Sequence, residues 1–292
     1  MEKAQDRLDV LARIAEREKR GEFDKDVEDD PPSRTIMPGE VDYMRKKLSS
    51  KIKTKYAYFV ARRFLNKATK DGVIVVKDVI GAEKFAALKT GAVITCNHFN
   101  AMDSFAMQIC YDASGHKKRK MYKVIREGNY TSFTGFYGLL MRNCYTLPLS
   151  SNVSTTKEFI TAVKTLLAKG NFVLVYAEQS MWWNYRKPKP LKKSAFKFAV
   201  ESSVPVLPVF ITMEDGEKIG PDGFPIQEYT IHVGDPIYPD PALTNAQNVD
   251  KMCDDDFLWC KKIYEDFYGE PLSYSTDEDK LPDQIKRLVP RS

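Results

Sequence analysis

From about residue 72 the chain alternates short apolar runs with longer segments whose apolar residues recur every three or four positions. The runs predict strands at Val73–Val76, Ala92–Cys96, Lys120–Ile125, Tyr145–Leu147, Phe172–Tyr176, Val206–Ile211 and Tyr229–Val233. Helices fall between them near 102–113, 132–142, 155–168 and 195–202, and another follows at about 247–266. Strands alternating with helices predict an α/β fold, a mostly parallel sheet with helices on both faces. An N-terminal helical arm precedes it. Residues 3–20 read as a charged helix, and Gly21–Pro38 as a linker, acidic and then proline-rich (DDPPSRTIMP). Glu40–Lys70 reads as one long helix with apolar residues at Met44, Leu48, Ile52, Tyr56, Phe59/Val60 and Phe64, a stripe against a basic face. The expected organisation is an arm over 1–70, one α/β domain over 71–287, and a remnant at 288–292. That remnant, Leu-Val-Pro-Arg-Ser, resembles a thrombin-type cleavage site left from expression.

Composition narrows the class. The 292 residues are 43% hydrophobic and 29% charged, the balance of a folded protein. The longest charge-free windows, 128–141 and 143–156, are too short and too polar for a bilayer-spanning helix. The opening MEKAQDRLDV has no apolar signal-peptide core. Five cysteines at 96, 110, 144, 253 and 260 form no C-x-x-C, which argues against a disulfide framework or a zinc site and for the reducing cytosol.

The net charge of +5 conceals segregation. Residues 45–70 hold ten Lys/Arg and no acid; residues 117–126 and 186–197 hold six each and no acid. Such blocks are either solvated faces or an anion-facing surface for a membrane, a phosphorylated small molecule or nucleic acid. On the 40–70 helix the stripe either packs inward or lies in a lipid interface with its lysines on anionic headgroups.

The candidate chemistry lies in GAVITCNHFNAMDSFAMQIC. An apolar strand runs into Asn97-His98, and a helix is expected from Asn100, with Asp103 in its first turn. On one straight helix His98 and Asp103 would diverge by about 140°. A strand-to-helix turn lets the carboxylate fold back onto the imidazole. It would then fix the tautomer and leave the other ring nitrogen to take a proton from a hydroxyl. A single histidine at a strand end is more often a structural hydrogen-bonding residue. Of the three histidines (98, 116 and 232), only His98 has a carboxylate so placed at a strand's C-terminal end, where α/β sheets bind ligands.

Four blocks in order over about 90–213 make the chain resemble the lysophospholipid acyltransferase family, the glycerol-3-phosphate and 1-acylglycerol-3-phosphate acyltransferases. They are Asn97-His98 to Asp103; Lys123-Val-Ile-Arg126-Glu127 with Phe136-Tyr137-Gly138; VLVYAEQSMWW with Glu178; and Val204-Pro205-Val-Leu-Pro208. The resemblance implies that His98 is the base and Asp103 its orienter. It implies that Asn97, Arg126, Gly138 and Glu178 belong to the substrate site, and that residues 71–287 are an acyltransferase domain. The chain departs from the pattern where Ser150-Ser151 and Met181 replace two arginines usually assigned to the acceptor's phosphate, and where Gln179 replaces a glycine. Arg126 and Arg186, with Lys187 assisting, are expected to supply that charge instead.

The expected activity is O-acyl transfer from a thioester, acyl-CoA or acyl-ACP, to a lysophospholipid or related acceptor. It needs no metal and no cofactor beyond the co-substrate. The expected place is cytoplasmic, peripheral to the inner face of the cell membrane, with an anionic membrane surface as partner and no nucleic acid. Two alternatives stay open: an inactive scaffold of the same fold, and a basic nucleic-acid-binding protein, for which no recognised module occurs. G-x-S-x-G, G-x-x-x-x-G-K and H-E-x-x-H are absent from the sequence, so serine esterases, P-loop NTPases and zincins lose support. Cys96 reads as a small buried strand residue rather than a nucleophile.

Overall fold

The computed structural model describes residues 2–29 and 31–289. Seven strands, β1 (Val75–Ile80), β2 (Ala92–Thr95), β3 (Met121–Arg126), β4 (Thr146–Leu149), β5 (Phe172–Val175), β6 (Val206–Ile219) and β7 (Pro225–Val233), form one sheet. Their order is β1-β7-β6-β2-β5-β3-β4, and every neighbouring pair is parallel except the β6–β7 hairpin. The helices are α1 (Gln5–Lys19), α2 (Leu48–Lys70), α3 (Ala82–Ala86), α4 (Asp103–Ala113), α5 (Glu127–Thr131), α6 (Gly135–Asn143), α7 (Val153–Ala168), α8 (Ser194–Glu201), α9 (Asn245–Tyr268) and α10 (Asp283–Leu288).

The continuous apolar runs of β2 and β5 are buried along their whole length because both faces are covered. Alternation sends Val93, Val173 and Val175 to the face packed by Phe159, Val163 and Leu166 of α7 and by Phe196 and Ala199 of α8. It sends Ala92, Ile94, Phe172 and Leu174 to the face packed by Ala106, Met107 and Cys110 of α4. This is the expected α/β architecture. The β6–β7 hairpin runs further than its apolar residues indicate, to the Ile219↔Pro225 pair. The pairing is interrupted by an irregularity between Asp215 and Ile219 and resumes at that last pair, so the EDGEK stretch needs no core face.

The arm differs from expectation in two ways. First, α2 begins at Leu48, because the Asp42 carboxylate accepts the N–H groups of Lys46 (3.0 Å) and Lys47 (2.9 Å) and ends a turn there. Residues 41–47 instead bury Val41, Tyr43 and Arg45. Second, the expected linker is a strap packed on the domain. Phe23, Val27 and Ile36 are buried, and Val10 and Ile14 of α1 join Trp182, Phe210 and Phe257 in a third cluster. At the far end Leu288 closes α10 and, with Val289, packs on the same cluster; Pro290, Arg291 and Ser292 of the expected remnant lie outside the described residues.

The α2 stripe divides. Ala57, Leu65 and Ala68 face inward, and Phe64 meets Phe105 and Phe136 at ring separations of 5.0 Å. Leu48, Ile52, Tyr56 and Phe59, spaced by four, four and three residues, share the opposite face and are 73, 60, 58 and 58% exposed. Among the described residues no helix is long and apolar enough to cross a membrane.

Candidate active site

β2 is central in the sheet, and the chain leaving it carries His98. Asn97 holds that exit in place. Its side-chain carbonyl accepts the N–H of Ile211 (2.9 Å), and its amide donates to the carbonyl of the same residue (3.0 Å). A turn follows before α4. The Asn100 side chain accepts the Met102 N–H (2.7 Å) and donates to Tyr229 (2.8 Å), so the helix starts at Asp103 rather than Asn100. The turn folds Asp103 back, and its Oδ2 hydrogen-bonds His98 Nδ1. Asp103 is 2% exposed and sits at the N-terminus of α4, the positive end of the helix dipole.

Tyr176, just past the end of neighbouring β5, completes the arrangement. Its hydroxyl donates to Asp103 Oδ1 (2.7 Å), and its ring stacks on the imidazole with centroids 4.2 Å apart and planes 18° apart. The Ser104 hydroxyl lies 3.0 Å from that of Tyr176. Both oxygens of Asp103 are therefore used, and the imidazole is held in its ring plane and from one face. Among the described residues His98 Nε2 has no hydrogen-bond partner, and the side chain is 23% exposed. Such a histidine can take a proton from a hydroxyl and return it.

Glu178 lies two residues beyond Tyr176 and is 3% exposed. Its carboxylate accepts the backbone N–H of His98 (3.1 Å) and of Lys189 (2.9 Å), and lies 3.7 Å from the Lys189 ammonium. Lys189 is 1% exposed; its Nζ donates to the Ser180 carbonyl (2.5 Å) and hydroxyl (3.0 Å) and stands 4.9 Å from the centroid of the Trp182 ring. Burial pushes Glu178 up and Lys189 down to about 8, each shift opposed by the partner's charge. Gln179, in place of the family's glycine, keeps the left-handed backbone a glycine would adopt (φ 68°). The loop beyond runs beside the dyad, with the N–H groups of Trp182 and Asn184 bonded to the carbonyls of His98 (3.2 Å) and Phe99 (2.8 Å).

Comparison with known proteins bears on this arrangement. Residues 76–212 match the family model described as Acyltransferase. Over that stretch, a little under half of its length, the chain is similar to acyltransferases. All four blocks of the sequence resemblance fall inside the matched stretch. A solved structure that resembles the chain is the 1-acyl-sn-glycerophosphate acyltransferase PlsC from Thermotoga maritima, 18% identical, covering 79% of this chain and 100% of that one with a TM-score of 0.49. No curated protein matches significantly.

Several residues expected at the substrate site make contacts of their own within the fold. Asn97 is 5% exposed, with its polar atoms bonded to Ile211, so it braces two strands. Gly138 makes room for structure: a Cβ there would come within 2.3 Å of the Phe133 carbonyl and 2.4 Å of the Arg142 guanidinium. Arg126, on β3, is separated from β2 by β5 and pairs with Asp26 of the strap through two bonds of 2.8 and 2.6 Å. Arg186 bonds Asp215 (2.7 Å) on the hairpin, and Lys187 bonds Glu18 (3.0 Å) of α1. The three cations expected to gather around one headgroup are thus each paired with an acid, on three different elements.

The strap meets Ser150, which stands at one of the family's arginine positions, and Ser180, the neighbour of Met181 at the other. It crosses the C-terminal edges of β5, β3 and β4. The Phe23 carbonyl accepts the Ser180 hydroxyl (2.7 Å), the Lys25 carbonyl the Trp182 indole N–H (2.9 Å), and the Ile36 carbonyl the Ser150 hydroxyl (2.9 Å). Small hydroxyl residues at 150 and 180 suit a backbone laid against them. Among the described residues no cluster of three or more His, Cys, Asp or Glu could hold a metal ion.

Proposed function

We propose that the protein transfers a fatty acyl group from a thioester of coenzyme A or acyl carrier protein to a hydroxyl of a lysophospholipid or glycerol-phosphate-type acceptor. The observation that carries this reading is the imidazole fixed by Asp103 and Tyr176, with Nε2 left for substrate. In this mechanism Nε2 takes the acceptor's proton as its oxygen attacks the thioester carbonyl. Asp103 stabilises the imidazolium. The tetrahedral intermediate expels the thiolate, which takes the proton back from His98, giving an ester and a free thiol. The test is thiol release from an acyl thioester. Release should require both the protein and a lipid hydroxyl acceptor. Release no faster than without acceptor, across lysophospholipids, glycerol 3-phosphate and monoacylglycerol, would leave the scaffold reading standing.

Acceptor binding at Arg126 must contend with Asp26. Both side chains are nearly half exposed, and such a pair is worth about 0.2–1 kcal/mol. Asp26→Asn is therefore expected to lower the apparent KM for a phosphate-bearing acceptor by up to about fivefold. Arg126→Ala should raise it, with the KM for the acyl donor unchanged in both. If neither substitution moves the acceptor KM, Arg126 is only the strap's anchor.

The same reading places the protein on an anionic membrane at the inner face of the cell membrane. Support comes from Leu48, Ile52, Tyr56 and Phe59, an exposed apolar face flanked by Lys51, Lys55, Arg62 and Arg63. Such a helix lies in the interface plane, each well-placed basic residue adding about 1 kcal/mol. The double variant Ile52→Glu/Phe59→Glu should lose most sedimentation with anionic vesicles while thiol release with a detergent-dispersed acceptor persists. Unchanged sedimentation would assign membrane binding, if any, to another surface.

A further inference from the structure

A second basic feature lies away from the dyad, at the opposite end of the sheet. A cavity of about 620 Å³ opens between α2 and its approach, the end of α4, and the residues leading into β3. Its walls carry Arg45, Lys51, Lys55, Lys117 and Lys120, and among the described residues none of these five forms an ion pair. The one carboxylate on the wall, Asp112, is held by Arg62 through both its oxygens and by the Gln108 amide (3.0 Å). The cavity thus has a strong net positive charge.

Two of the groups that line it are buried and unused. Arg45 is 8% exposed and Thr54 5%, yet the Nε of Arg45 and the Oγ1 of Thr54 have no hydrogen-bond partner among the described residues. Leaving buried donors unmade costs about 1–3 kcal/mol each. The Arg45 guanidinium is fixed by its Nη2 donating to the Arg142 carbonyl (3.0 Å), and the Arg45 backbone is held in the left-handed region (φ 50°). Unpartnered N–H and O–H donors among unpaired ammonium groups suit oxyanions. The volume lies within the roughly 300–1,000 Å³ usual for small-molecule sites and exceeds the needs of one phosphate.

We propose that this cavity binds a molecule bearing two phosphate groups. Arg45 and Thr54 hold one phosphate at the buried end, and Lys51, Lys55, Lys117 and Lys120 neutralise the rest. The same chemistry is presented by the nucleotide end of a coenzyme-type acyl donor and by a bisphosphorylated lipid headgroup. The site stands on its own geometry and does not depend on the acyl-transfer reading.

Calorimetric titration of the full-length protein with sodium pyrophosphate tests it directly. Binding is expected, weakened about tenfold or more in Lys51→Gln/Lys117→Gln, whose side chains are exposed and whose loss does not threaten the core. Thr54→Val should weaken it as well. Lys53→Gln/Lys70→Gln, which removes the same charge from α2 outside the cavity, should change it less than about twofold. No binding of pyrophosphate, or equal losses in the two double variants, overturns the site. Two further arms separate the sources, and either result upholds it. Tighter binding of adenosine 3′,5′-bisphosphate than of pyrophosphate assigns the nucleotide. Selective retention on vesicles carrying a phosphoinositide bisphosphate over charge-matched phosphatidylserine vesicles, lost in Lys51→Gln/Lys117→Gln, assigns the headgroup.

Discussion

His98→Ala is expected to lower turnover by about a hundredfold to ten-thousandfold, the range a positioned general base supplies. The fold should survive, because the imidazole is partly exposed and leaves no large void in either main cluster. Asp103→Asn should cost less than the alanine substitution at 98 if the carboxylate only orients and stabilises the ring. Tyr176→Phe separates two contributions. It keeps the ring stacked on the imidazole and deletes only the hydroxyl bonded to Asp103, so its effect should be the smallest of the three. The measurement is single-turnover thiol release at saturating acceptor, with thermal unfolding as the control for fold. Near-normal turnover in His98→Ala would end the mechanism proposed above.

The contact between His98 and Asp103 was legible in the sequence because its determinants are local. His98 and Asp103 are five residues apart, and one strand-to-helix turn brings them together. Tyr176 could have been found by the same strand logic: it sits at the C-terminal end of an apolar run whose neighbour in the sheet carries the histidine. Nothing in the sequence alone said that β5 lies next to β2. Sheet order also sets the distance of Arg126, since β5 lies between it and the dyad.

The strap was illegible for a different reason. Phe23, Val27 and Ile36 are single apolar residues in an acidic, proline-rich stretch, without helical or strand period. Its attachment runs through backbone carbonyls accepting from Ser180, Trp182 and Ser150, which are more than a hundred residues away. The same distance hides the ion pairs. The pairing of Lys187 with Glu18 spans 169 residues and that of Arg126 with Asp26 spans 100, so two acid-free basic blocks met their acids only in three dimensions. In the 45–70 block Arg62 meets Asp112 and Lys67 meets Asp71, while Arg45, Lys51 and Lys55, like Lys117 and Lys120 of the 117–126 block, form no ion pair among the described residues. Those five line the cavity between α2 and the approach to β3.

Glu178 and Lys189 carry the largest stability prediction. Removing one member of a buried pair leaves the other uncompensated and typically costs about 3–5 kcal/mol, so Lys189→Met should lower the unfolding midpoint sharply. Glu178→Gln should cost less, because one amide oxygen can still accept a backbone N–H from His98 or Lys189. The double variant Glu178→Gln/Lys189→Met should recover much of the loss, since it buries no charge. Turnover gives the readout that separates positioning from packing: it should fall in Glu178→Ala, where the His98 N–H loses its acceptor, even at temperatures where the protein is fully folded. The pH dependence has a defined sign. The folded protein releases the Lys189 proton at about 8, whereas the unfolded chain holds it to 10.5, so between those values unfolding takes up a proton and this residue's contribution to stability rises with pH. Below 8 both states hold the proton and the contribution is level. Glu178 acts at the acid end: its raised value means that stability falls as pH climbs from 4.5 through the folded-state titration. Buried cysteines titrate in the alkaline range as well, so the quantity to measure is the difference in urea stability between the parent and the double variant at successive pH values. That difference should rise from pH 8 towards 10.5. A level difference across the range would mean that residue 189 is not a buried ammonium, and that Glu178 is held by its two backbone N–H groups alone.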